Sequence, residues 1–226
     1  MKKICIVGSI GFLMYAQYYG LVVAPSDRMM GDVYRILFVH VPAAWMTMLF
    51  FFFSFIGSLL YLIRRQPRWD HLALATAEIG VVTNGLALAL GSLWGKPTWG
   101  VWWTWDPRLT TTALLFIMYG GYLMLRQLLE DPERRAKVAA CIGLLIFLNV
   151  PIVYLSVKWW RSLHQVQSSP TTMDPAMVIA LRLNAFALLG VLSVILYHRL
   201  RLARALAERD GAESLPPPLV ASGGEK

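Results

Sequence analysis

The sequence predicts an all-α polytopic membrane protein of about six transmembrane helices, both termini cytoplasmic, with a Trp-rich outer loop between helices three and four. Three observations lead there. The chain is 57% hydrophobic and only 15% charged, where soluble domains carry about a quarter charged residues. Six apolar runs approach the roughly 20 residues of helix that a hydrocarbon core requires. Lys and Arg fall mainly in every second connection between these runs. The net charge of +8 could suggest nucleic acid, but the basic residues cluster between the apolar runs and form no continuous face.

The runs cover residues 4–23, 41–63, 72–93, 110–125, 138–157 and 176–197. The first follows Met1-Lys2-Lys3 as a secretory signal would. Its length, its Tyr15, Tyr18 and Tyr19, and Pro25 in place of a small-residue cleavage site favour an uncleaved anchor. The second is expected to open at Pro42, which puts His40 at the outer rim of a helix. The fourth is short, and Leu128 and Leu129 can complete it. Asp106-Pro107 and Asp174-Pro175 supply an N-cap and a first-turn proline for the fourth and sixth spans. Residues 1–200 form one membrane domain, and the Pro- and Gly-containing tail 201–226 reads as disordered.

On one side lie Lys2, Lys3, Arg64, Arg65, Arg68, Arg126, Arg134, Arg135, Lys137, Arg199, Arg201, Arg204, Arg209 and Lys226; this side is cytoplasmic. The other side has only Arg28, Arg35, Lys96, Arg108, Lys158 and Arg161. Cys5 and Cys141 fall inside apolar runs and read as buried free thiols. No CxxC or CxxCH run is present, which excludes a thiol oxidoreductase or a c-type cytochrome.

The outer segment 94–109 contains Trp94, Trp99, Trp102, Trp103 and Trp105, five of the nine tryptophans. An interfacial belt would spread over both membrane faces, whereas this enrichment is one-sided. Gly95, Pro97 and Gly100 are expected to shape a loop rather than continue a helix. The alternative to a belt is a rigid aromatic platform for a flat apolar ligand. If that ligand contains iron, it needs axial donors, and only His40 and His164 lie on the Trp side; His71 and His198 lie at cytoplasmic helix ends. A lone loop histidine is ordinarily a solvated or capping residue. Two beside an aromatic shelf make a bis-histidine haem site the competing reading. Arg35, Lys96, Arg108, Lys158 and Arg161 could meet propionates or anchor the interface. Arg108 sits in a first turn where the helix dipole disfavours a cation, which favours a function for it; Asp106 has a ready role as N-cap. Within the spans, Glu78 and Arg182 stand out as costly ionisable groups. Arg182 is near enough to serve the outer site. Glu78 is expected to face a partner helix or the Arg64–Arg65 cluster.

The run WGKPTWGVWWTWDPRLT resembles the tryptophan-rich WWD signature of the haem-handling proteins of cytochrome c maturation. With GDVYRILFVHVPAAW around His40 and VKWWRSLHQ around His164, the chain resembles the CcmC family from Ala24 to Arg182. That resemblance implies haem b held on the outer face of the inner membrane, with His40 and His164 as axial ligands to iron. It implies haem contacts from Trp94, Trp99, Trp102, Trp103, Trp105, Asp106 and Arg108. Asp27, Arg35, Lys96, Arg161 and Arg182 become candidates for propionate or chaperone contacts, and Met30 departs from the family pattern. The implied partners are the haem chaperone CcmE, the ABC transporter subunits CcmA and CcmB, the small protein CcmD and the lipid bilayer. No Gly-x-x-x-x-Gly-Lys-Ser/Thr run occurs, so this chain is not the ATPase subunit, and it reads as a transfer protein rather than an enzyme. Two rivals are a haem lyase of the same superfamily, whose members are longer, and a di-haem cytochrome b subunit, which needs facing histidines in mid-membrane.

Overall fold

A computed structural model describes residues 2–164 and 173–213. Among them there are helices and a single isolated bridge, Asp27 to Gly31, and six segments are long and apolar enough to cross a membrane. α1 runs Lys2–Tyr18 and widens into a π turn, Tyr19–Val23. A 3₁₀ turn, Asp32–Ile36, leads into α2, Leu37–Arg64; α3 is Pro67–Trp99 and α4 Pro107–Leu128. α5, Pro132–Phe147, and α6, Asn149–Trp159, form one interrupted span, and α7 is Pro175–Glu213.

Several boundaries differ from the sequence expectation. The second span does not open at Pro42, which lies inside α2. Tyr34, Leu37 and Phe38 are buried against Met177, Ala180 and Leu181 of α7, and this burial draws the helix outward past the proline. α3 likewise continues through Gly95 and Pro97 to Trp99. Pro97 falls in its last turn, so the one bond it cannot donate, to the Leu93 carbonyl, is lost only near the helix end. Gly100, at φ 78°, ends the helix and donates its N–H to the Lys96 carbonyl at 3.0 Å. The loop expected from residue 94 therefore begins only here. α7 extends beyond the boundary expected at residue 200, because residues 201–213 are mostly good helix formers. The rest of the expected tail lies outside the described residues.

The α5–α6 interruption has a local cause. Pro151 has no N–H to give the Phe147 carbonyl, and the ring crowds that carbonyl. Leu148 bonds instead to Leu145, three residues back, at 3.2 Å.

α2 is the central helix and packs on α3, α5 and α7; α1 lies against α7, and α4 against α6. The main core joins Phe51, Leu115, Tyr119, Tyr122, Ala139, Ile146 and Val153 from α2, α4, α5 and α6. The Phe51 and Tyr119 rings stack at 3.7 Å and 4°. α2 and α3 approach so closely at Gly57 that a Cβ there would lie 2.7 Å from the Ala73 nitrogen. Outward faces remain apolar, as a lipid solvent requires: Ile4, Val7, Val82, Ile117 and Phe186 are exposed. Cys5 and Cys141 are free and lie on such exposed faces, not in the interior.

Two ion pairs within the spans join different helices. Glu78 accepts two bonds from Arg199 of α7, at 2.7 and 2.8 Å. Of the two expected surroundings it is thus the partner helix, α7, that Glu78 faces, and not the Arg64–Arg65 cluster. Arg126 donates to both oxygens of Asp70, at 2.7 and 2.6 Å, and also to the Tyr122 hydroxyl at 3.3 Å. This buried pair joins α4 to α3.

Candidate functional site

A cavity of about 470 Å³ opens between the first turns of α2 and α4, the last turns of α3, α6, and the loop after α6. Its wall on α3 is one helical face: Asn84, Ala87, Leu88, Gly91, Trp94, Gly95 and Thr98 recur every three or four residues. α2 contributes His40, Val41, Trp45 and Met48; α4 contributes Arg108, Leu109, Thr112 and Leu115. His164 reaches the same space from the loop after α6. The two histidines, remote in sequence, therefore share one lining.

Each histidine has a tryptophan edge against it. His40 meets Trp94 with ring centres 5.8 Å apart at 68°, and His164 meets Trp99 at 5.0 Å and 66°. Tyr34 in turn packs on Trp94 at 6.0 Å, edge to face. These contacts hold both imidazoles without a hydrogen bond to either tryptophan. Gly91 leaves room for His40: a Cβ at that position would stand 3.1 Å from Cε1 of the imidazole.

Asp106 organises the opposite side. It caps α4 by accepting the Arg108 N–H at 2.9 Å, as its position before Pro107 predicts. Its other oxygen accepts from the Ser162 hydroxyl at 2.8 Å and the Leu163 N–H at 2.7 Å. The His164 Nδ1 lies 3.2 Å from Oδ1. One carboxylate thus starts a helix, ties down the loop after α6 and orients an imidazole, an arrangement that fixes which ring nitrogen faces a ligand. Burial alone would raise the Asp106 carboxyl, but the bonds from Ser162, Leu163 and Arg108, together with His164, hold it below the usual carboxylate range. Burial lowers the His164 imidazole, and Arg108 adds to this against the opposing pull of Asp106. His164 is neutral at pH 7 and free to act as an electron-pair donor.

The other tryptophans stand elsewhere. Trp102, Trp103 and Trp105 are exposed, with Trp105 82% accessible, and they do not line the cavity. Trp103 and Trp105 pack edge to face, and Trp102 lies 5.9 Å from the Lys96 ammonium. Lys96 also donates to the Gly100 carbonyl at 3.0 Å. Arg35 bonds Asp32 at 2.9 Å, the Gly20 carbonyl at 3.2 Å and Ser26 at 3.4 Å, so it braces the first connection. Asp27 accepts the N–H groups of Met29 and Met30, both at 2.8 Å, and shapes a turn. Met30 lines the cavity and Arg161 is exposed. Arg182 lines a separate groove on α2 and α7, whose Trp45 borders both spaces.

Sequence reasoning missed Asn84 and Thr112 in the cavity wall. A single amide inside an apolar run was the available signal for Asn84, since an unpaired polar group in a membrane is costly.

The geometry suits a large flat apolar ligand carrying a metal. The space is of ligand size and mostly apolar, with two imidazoles and one guanidinium converging on it. The buried His40 Nδ1 has no hydrogen-bond partner among the described residues. The sequence matches the family model described as Heme exporter protein C over residues 1–214. The chain belongs to the heme exporter protein C family. It is 41% identical to Heme exporter protein C of Bradyrhizobium diazoefficiens over 173 residues, 75% of this chain and 66% of that protein. Identity to the protein of that name from Escherichia coli is 33% over 204 residues, covering 90% of this chain and 83% of the relative. The Haemophilus influenzae protein of that name is 34% identical over 204 residues, covering 87% and 82%. Membership in this family makes the chain a multi-pass component of haem export in cytochrome c maturation.

Proposed function

We propose that this chain holds haem b at the periplasmic face of the bacterial inner membrane, with His40 and His164 as axial ligands, and delivers it to the chaperone CcmE. The observation that carries the reading is the convergence of these two histidines on one cavity, each with its own tryptophan edge. Both termini then lie in the cytoplasm, a placement that the Lys and Arg distribution supports. Haem is cargo here, and the chain's task is to bind, orient and release it. CcmA, CcmB and CcmD are its partners, and no catalytic step is assigned to the chain itself.

The residues divide the work by chemistry. His40 and His164 donate to iron, and Asp106 keeps the His164 ring turned toward it. Trp94 and Trp99 wall the cavity, and Arg108 offers a guanidinium to a propionate. Trp102, Trp103 and Trp105 present an exposed aromatic surface beside the mouth, suited to a chaperone that must come close to the haem. Asp27, Arg35, Lys96, Arg161 and Arg182 are candidates for contact with a propionate or with the chaperone.

The protein purified in mild detergent is expected to carry haem with a low-spin, six-coordinate spectrum. His40→Ala and His164→Ala are each expected to lose that signature, and the double variant most of the haem. An unchanged haem content and Soret band in the double variant overturns the reading.

A further inference from the structure

Among the described residues, three that line the cavity carry a buried polar atom with no partner: His40 Nδ1, Trp94 Nε1 and Asn84 Oδ1. The first two belong to the outer half of the site. Asn84 stands apart at its inner end, two helical turns below Gly91 on α3, roughly 10 Å by helical rise. It is fully buried, and its Nδ2 makes only a long bond of 3.4 Å to the Thr112 carbonyl. The hydroxyls nearby are already engaged. Thr112 donates to the Arg108 carbonyl at 2.7 Å, and Thr47 donates to the Ala43 carbonyl at 2.9 Å and lies 3.0 Å from Thr83. The remaining surroundings, Met48, Leu88, Leu115 and Val153, are apolar. An acceptor left unmade in such a place costs about 1–3 kcal/mol.

A primary amide offers an acceptor and a donor side by side. Its complement is a neutral carboxylic acid, whose O–H donates to the amide oxygen while its carbonyl accepts from the amide nitrogen. A carboxyl entering an apolar pocket of this depth is driven toward that neutral form by desolvation. Arg108 lies one turn outward from Thr112 on the same wall, so a charged donor and a neutral amide sit a turn apart in depth.

We propose that Asn84 recognises a carboxyl group of the cargo, pairing with one propionic acid of haem while Arg108 meets the other propionate. The proposal rests on the haem reading above and adds orientation to it. Haem then enters carboxyl edge first, and the opposite edge, which bears the vinyl groups, is left toward the mouth.

Wild type and Asn84→Leu, purified in detergent, are titrated with haem, its monomethyl ester and its dimethyl ester while the Soret band is followed. Wild type is expected to bind the dimethyl ester at least about tenfold more weakly than haem, and Asn84→Leu to lose about tenfold for haem but little for the dimethyl ester. The Soret maximum stays in place in both proteins, since the iron ligands are untouched. Equal affinity of wild type for haem and its dimethyl ester overturns the proposal, as does a wild-type ratio retained in Asn84→Leu. Asn84→Ser, which adds no bulk, supplies the same ratio if the leucine variant does not fold. A failure of the haem reading looks different: wild type itself lacks the six-coordinate spectrum, whatever ester is added.

Discussion

Asp106 concentrates several tasks in one side chain, and its substitutions separate them. Asp106→Asn keeps an N-cap acceptor, whereas Asp106→Ala removes it and is expected to cost about 1–2 kcal/mol of stability in denaturant unfolding. Both weaken the hold on His164, so both are expected to retain less haem after purification, alanine more severely. The pH dependence follows from the directions of the shifts. A carboxyl lowered on folding stabilises the fold above its unfolded value of about 4 and loses that contribution as pH falls through its lowered folded value. A histidine lowered on folding resists protonation, so the folded site keeps a neutral His164 as pH falls past its unfolded value of about 6.5, while the unfolded chain takes up the proton. Stability therefore declines below about pH 6.5 from His164 and again below about pH 4 from Asp106. Ligation needs the neutral ring, so the midpoint for haem loss on acidification is expected below 6.5; a Soret titration with its midpoint above 6.5 contradicts this. At Gly91 the argument is steric. Gly91→Ala suits a helix but sets a methyl 3.1 Å from the His40 ring, so haem affinity is expected to fall about tenfold while helicity by circular dichroism holds.

At the scale of elements, α3 shows which parts of the site were legible in the residues. Its apolar run, the Asp106 cap of α4 and the two outer histidines could be read directly, because each rests on local chemistry or on membrane side. The continuation of α3 to Trp99 could not, because Gly95 and Pro97 disfavour helix locally, while Trp94 packs on Tyr34 and His40 from a distant stretch of chain. The same continuation divides the Trp cluster: Trp94 and Trp99 stay on the helix and line the cavity, and Trp102, Trp103 and Trp105 follow the turn at Gly100 onto the surface. Composition identifies the cluster but contains no information about this division. Gly100→Ala, placing a Cβ at φ 78°, is expected to destabilise by about 1 kcal/mol and to disturb the exposed tryptophans more than the cavity. Intrinsic tryptophan fluorescence should change while the haem spectrum stays.

Across the whole molecule, stability and function draw on different ends of the bundle. The Asp70–Arg126 pair ties α3 to α4 away from the cavity, and the Glu78–Arg199 pair ties α3 to α7. Neither pairing was legible, because residues far apart in sequence choose partners only once the helices have packed. Arg126→Ala leaves a buried carboxylate without its partner and is expected to cost about 3–5 kcal/mol, measured by thermal unfolding in detergent. Replacing both members, Asp70→Leu with Arg126→Met, is expected to recover most of that loss. The two imidazoles have unequal foundations. His40 belongs to α2, a helix of 28 residues packed at the centre of the bundle. His164 belongs to the short stretch 162–164, which Asp106 ties down and which follows a span whose hydrogen-bond ladder is interrupted at Leu148. The site thus behaves as a vice with one fixed jaw and one sprung jaw: hydrogen exchange should be faster at 160–164 than at 38–44, and departing haem should give up His164 before His40.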